Sequence, residues 1–184
     1  MGILKMNKQD ELIAGCKRGD SAAYKELYNQ HALAVYNSIV RLITHTAEAE
    51  DILQESFVAA FQRIAHFSPE GGFRAWVKRI AINKSIDCIR KRKISFVELE
   101  PHLVHFSDKE LTDEATFKYT MDAIAAAIEL LPDNYRTIFN LYAVENIPQA
   151  EIAQMLGLGH ATVRIQYYRA KQKLLGILTQ NKFV

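Results

Sequence analysis

Apolar residues recur at three- and four-residue intervals along most of this chain, and no alternating pattern of useful length interrupts them. This spacing places apolar side chains along one side of an α-helix. It is clearest in AAYKELYNQHALAVYNSIVRLI and DILQESFVAAFQRIAHF, and it resumes in KYTMDAIAAAIELL. Only four prolines and eight glycines are available to break helices in 184 residues. The periodicity therefore predicts an all-α protein.

The periodicity disappears between Ile94 and Thr116, where six acidic residues accompany a single lysine. We interpret this segment as an acidic, flexible linker, which could extend to about 75 Å if fully stretched. The sequence then predicts two small helical modules, residues 1–93 and 117–184, joined by the linker 94–116.

The C-terminal module contains a helix-turn-helix pattern. AEIAQML is followed by the turn GLG, and a second helix is predicted to start near His160. This order of elements is typical of DNA-binding helix-turn-helix motifs, although helical hairpins that bind nothing can look similar. A projection at about 100° per residue gives the second helix an inner and an outer side. The inner stripe comprises Val163, Tyr167, Ala170, Leu174 and Leu178, and the outer side comprises Ala161, Arg164, Ile165, Tyr168, Arg169 and Gln172.

The outer side of that helix has two interpretations. Ile165 is predicted to point outward between two arginines and a tyrosine, where an apolar group could touch a thymine methyl in the major groove. The alternative is a solvated charged face that binds nothing. The pattern favours a surface that reads DNA.

A strongly basic helix is predicted in the N-terminal module, over FRAWVKRIAINKSIDCIRKRK. It carries eight basic residues and one acid, Asp87, and Trp76 is interleaved among them. Aromatic groups beside cations suit single-stranded nucleic acid, because bases stack and phosphates pair. Trp76 could equally be ordinary core, since it shares a stripe with Ile80. Asn83 lies on the same stripe and predicts a hydrogen bond to a base or within a buried network.

No motif in the chain predicts catalysis. Asp51 and Glu55 are spaced i, i+4, but no histidine or third acid lies beside them at helical spacing. His102 and His105 lack further metal ligands nearby, and neither a phosphate-binding glycine loop nor a nucleophile elbow is present. We therefore expect no enzymatic activity, cofactor, metal or small-molecule substrate. An acidic helix face can instead dock on a basic protein partner.

The remaining composition indicates a cytoplasmic protein. The formal charge is only +2, so a nucleic-acid-binding function must rest on the distribution of charge. No secretory signal or apolar segment of about 20 residues is evident. Cys16 and Cys88 lie far apart without a CxxC spacing, which favours free thiols in a reducing compartment.

The segments AEDILQESFVAAF, FRAWVKRIAINKSIDCIRKRK and LPDNYRTIFNLYAVENIPQAEIAQMLGL, with TVRIQYYRAKQKL, closely resemble the extracytoplasmic-function (ECF) sigma factors of bacterial RNA polymerase, within the sigma-70 family. The resemblance covers nearly the whole chain outside the linker, in the family's order. It implies an alternative sigma factor that binds core RNA polymerase and directs promoter-specific initiation. Region 2, within 1–93, would bind the polymerase and melt the −10 element, and region 4, within 117–184, would read the −35 element.

The resemblance also implies roles for individual residues. The segment around Asp51, Gln54 and Glu55 would dock on the clamp helices of the largest polymerase subunit. The −10 element would be contacted by Phe67, Trp76, Lys78, Arg79, Asn83, Lys84, Arg90 and Lys91. The −35 element would be contacted by Thr162, Arg164, Ile165, Tyr168, Arg169, Lys171 and Lys173. The linker would thread the interior of the polymerase, and an anti-sigma factor, commonly membrane-anchored in this family, would be a further partner.

The chain departs from the family pattern at two places. Gly159 stands where a serine commonly opens the second helix, and Ile165-Gln166 replaces a common Ser-Arg pair, which predicts an unusual −35 preference. A stand-alone helix-turn-helix regulator would leave the tryptophan-bearing basic helix unexplained. A small serine recombinase would need an N-terminal α/β domain, against which the helical pattern argues.

Overall fold

The computed structural model describes residues 7–92 and 120–180, which contain eight α-helices and no strand. The helices are α1 Lys8–Lys17, α2 Ser21–Val40, α3 Thr46–Gln62, α4 Gly72–Lys91, α5 Met121–Glu129, α6 Asp133–Phe139, α7 Gln149–Leu156 and α8 His160–Gln180. A 3₁₀ turn, Ile64–His66, follows α3, and a π-helical turn, Asn140–Val144, follows α6. The prediction of an all-α protein is confirmed for these residues.

The structure divides into two compact units between Lys91 and Arg92. The predicted linker and the two histidines within it lie outside the described residues. The residue boundaries proposed for the modules therefore remain a prediction. The part of the first unit that is described consists of α1 to α4 with their connections, whereas a serine recombinase would require strands there.

The first unit is built around α2, which contacts α1, α3 and α4. Its N-terminus is capped by Asp20, whose Oδ1 accepts a hydrogen bond of 2.9 Å from the backbone N–H of Ala22. Gly15 allows α1 to approach α2 closely, because a Cβ at this position would lie 2.8 Å from the Cβ of Ala23. The interior includes Leu27 and Phe73, both fully buried.

An aromatic cluster joins α2, α3 and α4 at the start of α4. The ring of Phe73 lies 5.5 Å from that of His31 and 6.1 Å from that of Phe61, between centroids. Burial, and secondly the positive charge of Arg74, lower the pKa of His31 below its ordinary value. The Nε2 atom of His31 is buried and has no hydrogen-bond partner. Protonation of this imidazole would therefore place a charge in an apolar environment.

The second unit packs around α8, which contacts α5, α6 and α7. A buried apolar cluster at its C-terminal half joins it to α5 through Ala127, Leu174 and Leu178. Tyr167 is half-buried, and its ring lies 5.9 Å from that of Phe139 and 4.6 Å from that of Tyr142. The predicted inner stripe of the helix is confirmed, with Tyr167 at its edge. Other helices contact α8 on several sides, so residues outside this stripe are buried as well.

Candidate nucleic-acid interface

Helix α3 presents an acidic stripe, defined here as Asp51, Gln54 and Glu55, on its solvent side. All three residues are exposed, whereas Ile52 and Leu53 between them are buried. The stripe is continued by Val58, whose side chain is 55% exposed. Val58 lies four residues after Gln54 and is not among the residues predicted from the sequence. A surface with an exposed apolar residue beside acidic residues suits a partner protein that presents basic groups around an apolar side chain.

Helix α4 is divided into a buried and an exposed side. Its buried side includes Val77, Ala81 and Ile89. Its other side, called the α4 outer face, is formed by Trp76, Ile80, Asn83, Asp87 and Arg90, of which the last three are exposed and the first two half-buried. The exposure of Asn83 excludes a buried network in this structure and leaves its amide available to a ligand. Trp76 offers an aromatic ring for stacking, and Asn83, Asp87 and Arg90 carry hydrogen-bonding groups.

Trp76 combines the two interpretations left open for it. One part of the indole packs against Phe67 and Phe73, with ring centroids 5.1 Å and 6.0 Å away. The remainder is accessible, because the residue is only half-buried. Trp76 is therefore both a packing residue and an accessible aromatic surface beside Asn83.

Phe67 is predicted to contact the −10 element, but its ring is not accessible in this structure. Phe67 is only 7% exposed, and its ring lies 5.9 Å from that of Phe73. The loop that contains SPEGG carries Phe67 inward because its ring completes the aromatic cluster beneath Trp76. Here the ring packs against Trp76, with the two ring centroids 5.1 Å apart.

The basic residues predicted on α4 do not share one surface. Lys91 and Arg90 are exposed, and Arg79 and Lys84 are half-buried on the same half of the helix. Lys78 projects about 200° from Trp76 and so lies on the opposite side from Asn83. The structure therefore brings the others to one half of the helix and leaves Lys78 away from it.

An ion pair connects the acidic stripe to α4. The Nζ atom of Lys84 lies 2.7 Å from Oε2 of Glu55, and the two side chains are 32% and 65% exposed. The residues are separated by 29 positions in the chain. Local spacing in the sequence therefore held no signal for this contact.

The helix-turn-helix prediction is confirmed in its elements. Helix α7 ends at Leu156, and Gly157 follows with φ 68° and ψ 34°, a left-handed conformation that favours glycine. The backbone N–H of Leu158 donates a 2.9 Å hydrogen bond to the carbonyl of Ala153, which closes the C-terminus of α7. Helix α8 begins at His160, as predicted.

The outward orientation predicted for Ile165 is wrong. Ile165 is only 8% exposed, and Gln166 beside it is 1% exposed. The helical projection located the side opposite Val163 correctly, but it assumed that only one stripe of α8 is covered. Because α8 contacts three other helices, more of its circumference is buried. The pair that departs from the family pattern is thus internal, and neither side chain lies on an open DNA-reading surface.

The other predicted residues of α8 have graded exposure. Arg164 and Lys173 are exposed, and Thr162, Tyr168, Arg169 and Lys171 are half-buried. Long cationic side chains can bury their stems while their charged ends reach solvent. The accessible set therefore remains basic and aromatic after Ile165 is removed from it.

The described residues show neither a metal site nor a membrane-spanning helix. Within 7–92 and 120–180, no three His, Cys, Asp or Glu side chains lie where they could share a metal ion. Nor is any helix in those ranges both long and apolar enough to cross a bilayer.

Comparison with known proteins identifies both units. The model of Sigma-70 region 2 matches residues 27–94, and that of Sigma-70, region 4 matches residues 121–174. The ECF RNA polymerase sigma factor SigW of Bacillus subtilis is 30% identical over 172 residues, which cover 88% of this chain and 92% of the relative. The RNA polymerase sigma-H factor of Pseudomonas aeruginosa is 28% identical, with 94% of each chain covered.

Two solved structures share the fold. CnrH in complex with the cytosolic domain of CnrY has a TM-score of 0.53 and 24% identity, covering 96% of this chain and all of that one. The sigma factor RpoE in complex with the anti-sigma factor NepR from Bartonella quintana has a TM-score of 0.51 and 19% identity, covering 85% of this chain and 96% of that one. From the matched regions and the similarity to SigW, this chain belongs to the ECF group of the sigma-70 family, the alternative sigma factors that bind core RNA polymerase and direct promoter-specific transcription initiation.

Proposed function

We propose that three surfaces, two on the first unit and one on the second, bind the polymerase and the promoter. The acidic stripe of α3, extended by Val58, docks on the clamp helices of the largest polymerase subunit. The α4 outer face binds the melted −10 strand, and α8 reads the −35 element. The observation that supports this most is the exposure of the acidic stripe and the α4 outer face on neighbouring helices of the segment that matches region 2.

At the −10 element, a single-stranded base would stack on the accessible part of Trp76, and Asn83 would hydrogen-bond a base edge. Cations on the same half of α4 would hold phosphates of the strand. This set comprises Arg79, Lys84, Arg90 and Lys91. Phe67 would act through Trp76, whose indole it supports at 5.1 Å.

At the −35 element, the N-terminal part of α8 would enter the major groove. Arg164, Tyr168 and Arg169 would face bases, and Thr162, Lys171 and Lys173 would hold phosphates. Since Ile165 and Gln166 are buried, base readout would depend on fewer side chains than the family pattern provides. Fewer base contacts discriminate less strongly between sequences, so we expect this helix to tolerate more variation in the −35 element at the positions that Ile165 and Gln166 do not reach.

Further features of the proposal come from the relatives. CnrH and RpoE are each bound by a second protein in their structures, an anti-sigma factor in the case of RpoE. We propose that an anti-sigma factor likewise regulates this chain by covering its polymerase-binding surfaces. The chain would act in the cytoplasm, where core polymerase is found, and would specify the site of initiation while the polymerase supplies the catalysis.

The proposal is tested by run-off transcription with purified core polymerase over a genomic promoter library. We expect transcripts that start at a restricted set of promoters only when this protein is added. Tight binding to duplex DNA without polymerase binding or initiation would refute the proposal and favour a stand-alone regulator.

A further inference from the structure

The seam between α3 and α4 carries two polar contacts on one side. Near one end, Sγ of Cys88 donates a hydrogen bond to Oε1 of Glu48 over 2.9 Å. Farther along, Nζ of Lys84 donates to Oε2 of Glu55 over 2.7 Å. The later residue of α3 thus pairs with the earlier residue of α4, as expected for antiparallel helices. The acidic stripe and the side of α4 that carries Lys84 therefore border the same seam and meet at the pair Glu55–Lys84.

This pair joins groups that are assigned to different ligands. Glu55 belongs to the acidic stripe, and its side chain remains 65% exposed, so one side of its carboxylate can meet a basic protein group. Lys84 is only 32% exposed, so its aliphatic stem is held against the helices and its ammonium group has limited freedom to move away from Glu55. A DNA phosphate that approached Lys84 would also approach the carboxylate of Glu55. The like charges would repel each other and weaken the contact.

We infer that Glu55 restrains Lys84 in the free protein, and that a basic group of the polymerase which binds Glu55 frees Lys84 for a phosphate of the single strand. This inference rests on the proposed function, because it uses the polymerase-docking and strand-binding surfaces. Polymerase binding would thereby raise the affinity of region 2 for single-stranded DNA, and strand binding by the free protein would be suppressed. The expected size is about twofold to fivefold in affinity, the range set by an exposed ion pair.

The test measures binding of the purified full chain to a short fluorescein-labelled single-stranded DNA by anisotropy at low ionic strength. Glu55→Gln keeps the shape of the side chain and removes its charge. Asp51→Asn is the matched control, because it removes the same charge one turn away from the pair. We expect Glu55→Gln to bind the strand about twofold to fivefold more tightly than Asp51→Asn does. The gain should be absent when Lys84→Gln is combined with Glu55→Gln, and circular dichroism verifies that each variant is folded.

Other outcomes overturn the inference. An equal gain in Glu55→Gln and Asp51→Asn would show a general effect of net charge. A gain that persists in the double variant would show that Lys84 is not the group restrained. Failure of every variant to bind the strand would also refute it, because Lys84 must contact phosphate once Glu55 is neutral.

A second readout uses the polymerase complex. In the holoenzyme, Lys84→Gln should reduce strand affinity by a larger factor than in the free protein, because Glu55 is then engaged by the polymerase. An equal or smaller factor would contradict the release step. If the wild-type chain did not bind core polymerase at all, the proposed function would fail, whereas the comparison of free variants would still decide whether Glu55 restrains Lys84.

Discussion

Replacement of Ile165 by alanine distinguishes most directly between the helical projection and the tertiary structure. An outward Ile165 would contribute little to stability, whereas a side chain that is 8% exposed contributes through packing. The change removes three carbon atoms, each worth about 0.8 kcal/mol of transfer free energy when buried. The remaining cavity adds to this loss. We therefore expect the free energy of unfolding of the second unit to fall by about 3 kcal/mol.

The assay is urea unfolding followed by two signals. Trp76 is the only tryptophan and lies in the first unit, so its fluorescence reports on that unit, while far-UV circular dichroism reports on helices in both. Ile165→Ala should move the part of the dichroism transition that belongs to the second unit to lower urea and leave the Trp76 transition in place. Arg164→Ala is the matched control, because Arg164 is its exposed neighbour, and it should change stability by less than about 0.5 kcal/mol.

If Ile165→Ala lowered the free energy of unfolding by less than about 1 kcal/mol and altered the preference for −35 sequences, the side chain would be a DNA-reading group. The sequence projection would then be right and the burial assigned to Ile165 would be wrong.

Three further predictions concern Arg169, Val58 and His31. If the guanidinium of Arg169 makes a bidentate base contact, Arg169→Ala should lose about 1–3 kcal/mol of discrimination at one −35 position. The measurement is binding of the holoenzyme to duplexes that carry single base substitutions. A uniform loss of affinity over all sequences would identify a phosphate contact instead. Val58→Asp should weaken binding to core polymerase several-fold in a pull-down or titration without lowering the urea midpoint, since the side chain is 55% exposed, and unchanged polymerase affinity would remove Val58 from the docking surface. Because burial lowers the pKa of His31 in the folded state, the unfolded chain binds more protons between that pKa and about 6.5, so stability should fall as the pH is lowered from 7.5 to 5.5. His31→Gln should reduce this pH dependence of the Trp76 transition, and an identical dependence in both proteins would contradict the assignment to His31.

Much of the fold could be predicted because it depends on local pattern. The start of α8 near His160 agrees with prediction, since a glycine turn between two helices is encoded within a few residues. The turn at Gly157 is a clear case, because its left-handed backbone is a local requirement. The exposure of Asp51 and Glu55 could also be predicted, because the same periodicity that identifies buried positions identifies the opposite stripe.

The candidate site was less predictable where its geometry depends on contacts between distant segments. Phe67 and Ile165 were both predicted to face DNA, and both are buried. In each case the local sequence indicated on which side of its helix or turn the residue lies. It did not indicate which other helices cover that side. Val58 was not predicted as a site residue, although it is exposed four residues after Gln54 on the acidic stripe.

By itself, the sequence determined that this chain is helical, that it contains a helix-turn-helix and that it is similar to ECF sigma factors, because periodicity, turn residues and motif order are all properties of short segments. Tertiary structure alone decided that Glu55 meets Lys84 across 29 residues, that Phe67 supports Trp76 from beneath, and that Ile165 is withdrawn from the outer side of α8. The physical reason is the same in each case. Burial and ion pairing are set by which helices pack together, and that packing depends on the summed contacts of residues far apart in the chain.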